Sequence, residues 1–217
     1  MNFFDETKSL IENLYFLSGP IIAVFGFTVV IQIWLAKKTI VTSSRRQAAE
    51  MAAKQVEIYM NQIIPLHNEF DVKEKTLNIP NGRIKGLKEY NRVELEKSLP
   101  KDEIMRILNA RIDFIVLHLK VLNSMEAFST YFVQGIADEK IGFLSVGQTF
   151  CHSIEKYCFD ISFSRDDENA EVYLNLTKLY KLWNSRIKTK IISKELKAKI
   201  EEYNSCKIPE INPIGTK

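Results

Sequence analysis

Hydrophobic residues follow two patterns along the chain: one unbroken run near the N-terminus and helical repeats after it. The run covers residues 14–36, reads LYFLSGPIIAVFGFTVVIQIWLA and contains no charged residue. At about 1.5 Å per residue such a helix spans roughly 34 Å, against a hydrocarbon core of about 30 Å. Acidic residues precede the run and bulky Ile33, Trp34 and Leu35 end it, unlike a cleaved signal peptide. We predict an uncleaved transmembrane helix.

The basic residues around this span predict its orientation. Lys8 is the only basic residue before the span, whereas four follow it closely, namely Lys37, Lys38, Arg45 and Arg46. Positive flanks of a membrane span stay in the cytoplasm. We therefore expect an inner (cytoplasmic) membrane protein whose short tail, residues 1–13, faces outward and whose remaining mass is cytoplasmic.

Three residues of the span bear on helix packing. Gly19 and Ala23 form a small-xxx-small pair that lets two membrane helices approach closely, and Gly19-Pro20 favours a kink. Gln32 has two interpretations, a hydrogen bond across helices or contact with headgroups and water. Self-association through the span is thus one hypothesis, and a non-associating span is the other.

Residues 37–70 have the pattern of a juxtamembrane stalk helix. Apolar or small residues recur at three- and four-residue spacing, at Ala49, Ala52, Val56, Met60 and Ile63. Pro65 is expected to kink or end this helix. The polar and β-branched residues 39–44 leave open whether the span continues into the stalk. Residues 71–97, with Asn81-Gly82 and Gly86, are predicted to form a connecting segment with short elements.

Residues 98–205 contain three apolar repeats at helical spacing. The first helix is predicted from Ser98, with Pro100 in its first turn, to Gly135. Its main stripe consists of Ile104, Leu108, Ile112, Ile115, Leu119 and Leu122, widened by Phe114, Leu117, Val121 and Phe128. The second helix begins after a capping Asp138 and carries Phe143, Val146, Phe150, Ile154, Tyr157 and Ile161. The third carries Val172, Leu176, Leu179, Trp183 and Ile187. We predict an all-α protein, a transmembrane helix followed by a bundle of about four to five helices, and a frayed tail at 206–217.

Charge is distributed unevenly. The net charge is +3, and because the tail before the span carries −2, the part after it carries +5. Between Lys178 and Lys207 there are nine basic and three acidic residues. This stretch fits either a solvated helix face or contact with anionic lipid headgroups. Nucleic acid is not an expected partner, since no recognised binding module accompanies the charge.

No motif in the sequence specifies a reaction. GxGxxG, GxxxxGK[ST], HExxH and GxSxG are all missing from the sequence, so we predict neither an enzyme nor a cofactor. Cys151, Cys158 and Cys206 lack CxxC spacing, although Cys151 and Cys158 beside His152 leave a metal or redox pair as an alternative. The histidines His67, His118 and His152 are far apart, and we predict no metal site.

Glu126 is the polar residue that stands out, because it lies between Leu122, Met125 and Phe128 on the predicted apolar face. A buried carboxylate needs a partner, for which Arg111 or another basic residue is a candidate. The alternative interpretation is a carboxylate that senses pH or a ligand.

Two segments carry a family resemblance. They are YFLSGPIIAVFGFTVVIQIWLAKKTIVTSSRRQAAEMAAKQVEIYMNQIIPL and LNSMEAFSTYFVQGIADEKI. Both resemble a family of bacterial membrane-anchored helical proteins that is catalogued as a domain of unknown function. The resemblance implies a single-pass topology and a helical fold, and it implies no activity or catalytic residue.

These observations lead to three ranked hypotheses. The first is a membrane-tethered interaction module that binds a protein or a second copy of itself. The second is an oligomerising membrane effector of the defence or toxicity type. The third is an enzyme of unfamiliar kind, for which Glu126, His118 and Cys151 are the residues to test.

Overall fold

The structure is a computed structural model that describes residues 3–76, 84, 86–166 and 168–206. These residues form helices joined by turns, and none of them belongs to a β-strand. The predicted all-α class is therefore confirmed. The chain divides into two compact units, Met1–Ala48 and Ala49–Lys217. Asn81-Gly82 and the tail beyond Cys206 lie outside the described residues.

The helices are as follows. They are α1 (Phe3–Ile58), a π-helical turn (Tyr59–Ile63), α2 (Ile64–Thr76), α3 (Arg92–Ser98), α4 (Lys101–Arg111), a 3₁₀ turn (Ile112–Phe114), α5 (Ile115–Val133), α6 (Glu139–Lys156), α7 (Cys158–Phe163) and α8 (Leu174–Ser205).

The first unit consists of α1 up to Ala48. It is helical from Phe3 onward, so the predicted tail is helical there too, and the helix runs through Pro20 and through residues 39–44 without a break. The most apolar window of this helix has no buried residue, and it is long and apolar enough to cross a membrane. Its exposed hydroxyls bond to their own helix, as Thr28 Oγ1 does to the Val24 carbonyl at 2.8 Å. Such pairing is what a lipid environment requires.

The second unit begins with the last residues of α1. Pro65 was expected to kink or end this helix, and it does not end it. Helix α2 continues from Ile64 through Pro65 to Thr76. A π turn directly precedes it, in which the Ile64 N–H bonds to the Tyr59 carbonyl. A π turn changes the backbone register locally, and we attribute the helix's tolerance of a residue without an N–H donor to it. The turn also directs Tyr59 and Ile63 into the core.

The helix predicted from Ser98 to Gly135 is two helices, α4 and α5, separated by the 3₁₀ turn. Arg111, just before this turn, and Phe114, its last residue, are both buried. Pro100 is the residue just before α4 rather than in its first turn. The predicted stop at Gly135 is confirmed, since α5 ends at Val133 and Gly135 has φ of +70°, a conformation that glycine adopts readily.

Trp183 lies at the centre of the core. Its ring contacts four phenylalanines from α5 and α6, with centroid distances of 5.0–6.3 Å, namely Phe128, Phe132, Phe143 and Phe150. Buried Leu176 and Leu179 confirm the predicted apolar face of α8. Asp138 caps α6 as predicted, accepting hydrogen bonds from the N–H groups of Lys140 and Ile141. Helix α6 ends at Lys156, five residues before the predicted stripe does.

Candidate functional site

An apolar stripe lies on the outer surface of α4 and α5. Ile112, Ile115 and Leu119 were predicted in the core, but they retain 64%, 44% and 42% of their exposure. Together with Met105 and Val116 they form what we call the outer stripe. The prediction was wrong because this segment is apolar on two sides, and Phe114, Leu117, Val121 and Phe128 occupy the side that is buried.

A network of charged side chains, of which Arg111 is buried and the others are half-buried, lies on the inner side of the same segment. Arg111 pairs through Nη1 with Asp160 of α7, and its Nη2 lies 3.5 Å from Oε1 of Glu74 on α2. Lys156 at the end of α6 lies 3.0 Å from the other Glu74 oxygen and also pairs with Asp71. The Arg111 side chain is 3% exposed, so the guanidinium depends on these carboxylates. The network ties α2 to α4, α6 and α7.

Asp160 joins this network to a histidine. Nε2 of His118 lies 3.3 Å from Oδ2 of Asp160, the oxygen that also pairs with Arg111. Burial acts to raise the pKa of Asp160, but its electrostatic interactions and hydrogen bonds with His118 and Arg111 outweigh burial and hold that pKa below its usual range. The carboxylate is thus kept ionised inside the fold. An enclosed carboxylate of this kind can fix the positions of the helices that it joins.

A second histidine approaches the same region from α2. Nδ1 of His67 lies 2.8 Å from the Tyr157 hydroxyl, and the rings of His67 and His118 both lie within 5.3 Å of the Tyr157 ring. Burial lowers the pKa of His67 to about 4. At neutral pH this histidine is therefore uncharged. The fold brings two of the three histidines near one tyrosine, which their separation in sequence did not suggest.

Glu126 has a structural partner, but not Arg111. Its carboxylate accepts hydrogen bonds from the backbone N–H groups of Asn175 at 3.1 Å and Leu176 at 2.7 Å, the first turn of α8. Tyr173, which precedes the helix, has φ of +53° and gives it no side-chain cap. Glu126 therefore caps α8 from a neighbouring helix, where a negative charge also favours the helix dipole.

The predicted span and flank residues all lie on α1. Gly19, Ala23, Gln32, Lys37, Lys38 and Arg45 are exposed, and Arg46 lies on the same stretch of α1. The ammonium of Lys38 stands 5.4 Å from the centre of the Trp34 ring. Gly19 has open space around its Cα, so a second helix has room to approach it.

The cysteines and histidines do not form a metal site among the described residues. Cys151 and Cys158 are buried and Cys206 is exposed. Burial raises the pKa of the Cys151 thiol to about 12, which leaves it protonated and unreactive. A groove of about 1040 Å³ lies beside α8, and its described lining includes Tyr180, Glu155 and Cys158 but none of Glu126, His118 and Cys151.

The Arg111–Asp160–Glu74 network was not predicted from the sequence. One signal was present, since Arg111 and Asp160 each interrupt an apolar segment, RILNARIDF and YCFDISF. A charge at such a position needs an opposite charge nearby. The partner could not be identified, because Arg111 and Asp160 are separated by 49 residues and lie on different helices.

Comparison with known proteins found no matching family model, no similar curated protein and no similar solved structure. The resemblance to membrane-anchored helical proteins of unknown function therefore stays a prediction.

Proposed function

We propose that this chain is a membrane-tethered helical interaction module, in which two copies associate through the outer stripe. The observation that carries the proposal is the exposure of that stripe: Ile112 and Val116 retain 64% and 77% of their exposure. Apolar side chains grouped on one face of a folded unit mark interaction sites in soluble domains. Residues 14–36 serve as the membrane anchor, with the N-terminus outside and the second unit in the cytoplasm.

The size of the stripe favours a second copy over a partner from solution. Five side chains provide a patch of roughly a few hundred Å², whereas a stable interface buries about 800 Å² on each partner. A partner arriving from solution would bind such a patch weakly. Two copies held in one bilayer meet at a raised effective concentration, so a small face suffices for them.

The anchor and its orientation can be tested with the native thiols. Cys206 is exposed, while Cys151 and Cys158 are buried. A membrane-impermeant maleimide should label Cys206 in permeabilised cells and not in intact ones. The matched control is Glu12→Cys in a Cys206→Ser background, which should be labelled in intact cells. The reverse pattern would overturn the orientation, and recovery of the chain in the soluble fraction would overturn the anchor.

Self-association can be tested by placing a charge in the outer stripe. We expect chemical crosslinking of the full chain in native membranes to give dimers, and Val116→Asp to abolish them, because an unpaired carboxylate would be buried between the copies. Leu144→Asp is the matched control, since Leu144 is an equally exposed apolar residue on α6. Monomers in the unaltered chain, or equal loss in both variants, would contradict the proposal.

The second candidate is an oligomerising membrane effector, in which the spans themselves assemble. The open approach to exposed Gly19, four residues before Ala23, favours it. Gly19→Leu combined with Ala23→Leu should then abolish both oligomers and any loss of membrane potential on induced expression. Oligomers that survive this change but not Val116→Asp would favour the tethered module.

A further inference from the structure

The distal half of α8 is exposed along its length, and at its start the Lys190 ammonium stands 4.8 Å from the centre of the Phe143 ring of α6. From Lys188 to Cys206 each residue is exposed, whereas Trp183 on the same helix is fully buried. The helical part of this segment is roughly 27 Å long at about 1.5 Å per residue. A helix of this length with so few tertiary contacts is marginally stable in water by itself. We therefore expect this segment to be stabilised by binding to a surface or a partner.

The apolar side of α8 changes direction at this point. In the first half, the apolar residues are on the side of Trp183 and face the core. In the second half, they form what we call the distal stripe, which consists of Ile192, Leu196, Ile200 and Tyr203. Ile192 lies nine residues after Trp183, which at 3.6 residues per turn places it on the opposite side of the helix, about 180° away. The distal stripe is thus not a continuation of the core-facing side.

Lysines predominate on the side opposite the distal stripe, where Glu201 and the exposed Ile191 also lie. Lys190, Lys194 and Lys197 share it, and the whole distal half contains five lysines and three glutamates. An apolar stripe backed by a lysine-rich side is the pattern of a helix that lies in a membrane interface. Lysine stems can reach from such a helix to anionic headgroups.

We propose that the distal half of α8 binds the surface of an anionic bilayer through the distal stripe. A second copy is the less suitable occupant, because a helix pair with three- and four-residue spacing through Ile192, Leu196 and Tyr203 would bring Lys199 into its apolar seam. At a lipid surface, Lys199 can instead extend toward the headgroups. The proposal does not depend on the outer stripe, so its failure and that of self-association are distinguishable.

Cys206, at the end of α8, gives a native position for the test. The full chain is labelled there with an environment-sensitive dye and reconstituted into vesicles that also carry nitroxide-labelled lipid. One set of vesicles is purely phosphatidylcholine and the other includes phosphatidylglycerol. We expect the nitroxide to quench the dye in the anionic vesicles only, and high salt to remove the quenching, because surface charges are screened.

Variants of the helix separate the apolar and the electrostatic contributions. The pair Leu196→Gln and Ile200→Gln should lose the quenching, while Leu144→Gln on α6 should keep it. Changing Lys190, Lys194 or Lys197 singly to glutamine should lower the ratio of bound to unbound helix about fivefold.

Three results would overturn the proposal. One is equal quenching in neutral and anionic vesicles, and another is quenching that survives the change at Leu196 and Ile200. The third is efficient Cys206–Cys206 disulfide formation in both kinds of vesicle, which would identify a second copy as the occupant.

Discussion

At the scale of single residues, Glu126 shows how a carboxylate near an apolar face can serve the fold. We predict that Glu126→Ala lowers the free energy of unfolding by about 0.5–2 kcal/mol, because two N–H groups of α8 lose their acceptor. Glu126→Gln should cost less, since an amide oxygen still accepts one of these bonds. Thermal unfolding in detergent measures both variants. Glu195→Ala, at an exposed position of α8, is the control. An equal effect at Glu195 would contradict the capping role.

His67 predicts a pH dependence of stability. Its pKa in the fold is about 4, lowered by burial, against an ordinary value of about 6.5. Between these values the unfolded chain binds a proton that the folded chain does not. Falling pH therefore favours unfolding, and the contribution, up to about 3 kcal/mol, is complete above pH about 6.5 and lost progressively toward pH about 4.

The measurement is the unfolding midpoint of the full chain at a series of pH values. His67→Gln should flatten the curve between pH about 4 and 6.5, because glutamine does not titrate. The control is Asn68→Gln, at an exposed position of α2 beside His67, which changes no ionisable group and should leave the curve as it is. A wild-type curve already flat in this range would show that His67 is not held neutral.

At the scale of elements, the sequence predicted helical surfaces better than helix ends. The spacing of apolar residues identified α8, and the Asp138 cap and the Gly135 stop were correct. That the helix continues past Pro65 was not predicted, because the preceding π turn depends on hydrogen bonds that no residue pattern indicates. The break after Arg111 was not predicted for a similar reason. At this break Arg111 and Phe114 point into the core, toward partners that are distant in sequence.

The contact between α5 and α6 depends on a glycine. A Cβ built on Gly142 would come into steric conflict with the Phe132 ring, with the Cζ atom only 2.7 Å away. Phe132 cannot easily move, because it packs against Phe128 and Trp183. We predict that Gly142→Ala lowers the free energy of unfolding by about 1–3 kcal/mol, despite the better helix propensity of alanine.

Denaturant titration of the full chain in detergent tests this prediction. Ser145→Ala on the exposed side of α6 is the control and should change stability little. A stabilised Gly142→Ala variant would mean that α5 and α6 are farther apart than the structure has them.

At the scale of the whole molecule, features that depend on neighbouring residues were predictable from the sequence, and features that depend on contacts between distant residues were not. The apolar span and the basic stretch of α8 follow from composition, so the sequence identified them. The outer stripe is the apolar side of α4 and α5 that stays exposed. The packing of α3 and α7 on α4, and of α2, α6 and α8 on α5, decides which side that is. The distal stripe was missed because the two halves of α8 are apolar on opposite sides, and only the first half matches the core-facing repeat.

The charges beside the outer stripe allow the symmetry of the proposed dimer to be tested. Exposed Asp113 and Lys120 lie seven residues apart, and Val116, the most exposed residue of the stripe, lies between them. In a two-fold pair centred on Val116, Asp113 of each copy faces Lys120 of the other.

Asp113→Lys alone, or Lys120→Asp alone, should then weaken dimers in native membranes a few-fold, as two exposed ion pairs of about 0.2–1 kcal/mol become repulsive. The double change should restore them, because the pairs re-form with reversed charge. Crosslinking yield at matched expression is the measurement. A double variant weaker than either single one would exclude this two-fold arrangement, while loss of dimers in Val116→Asp alone would still support the outer stripe as the contact.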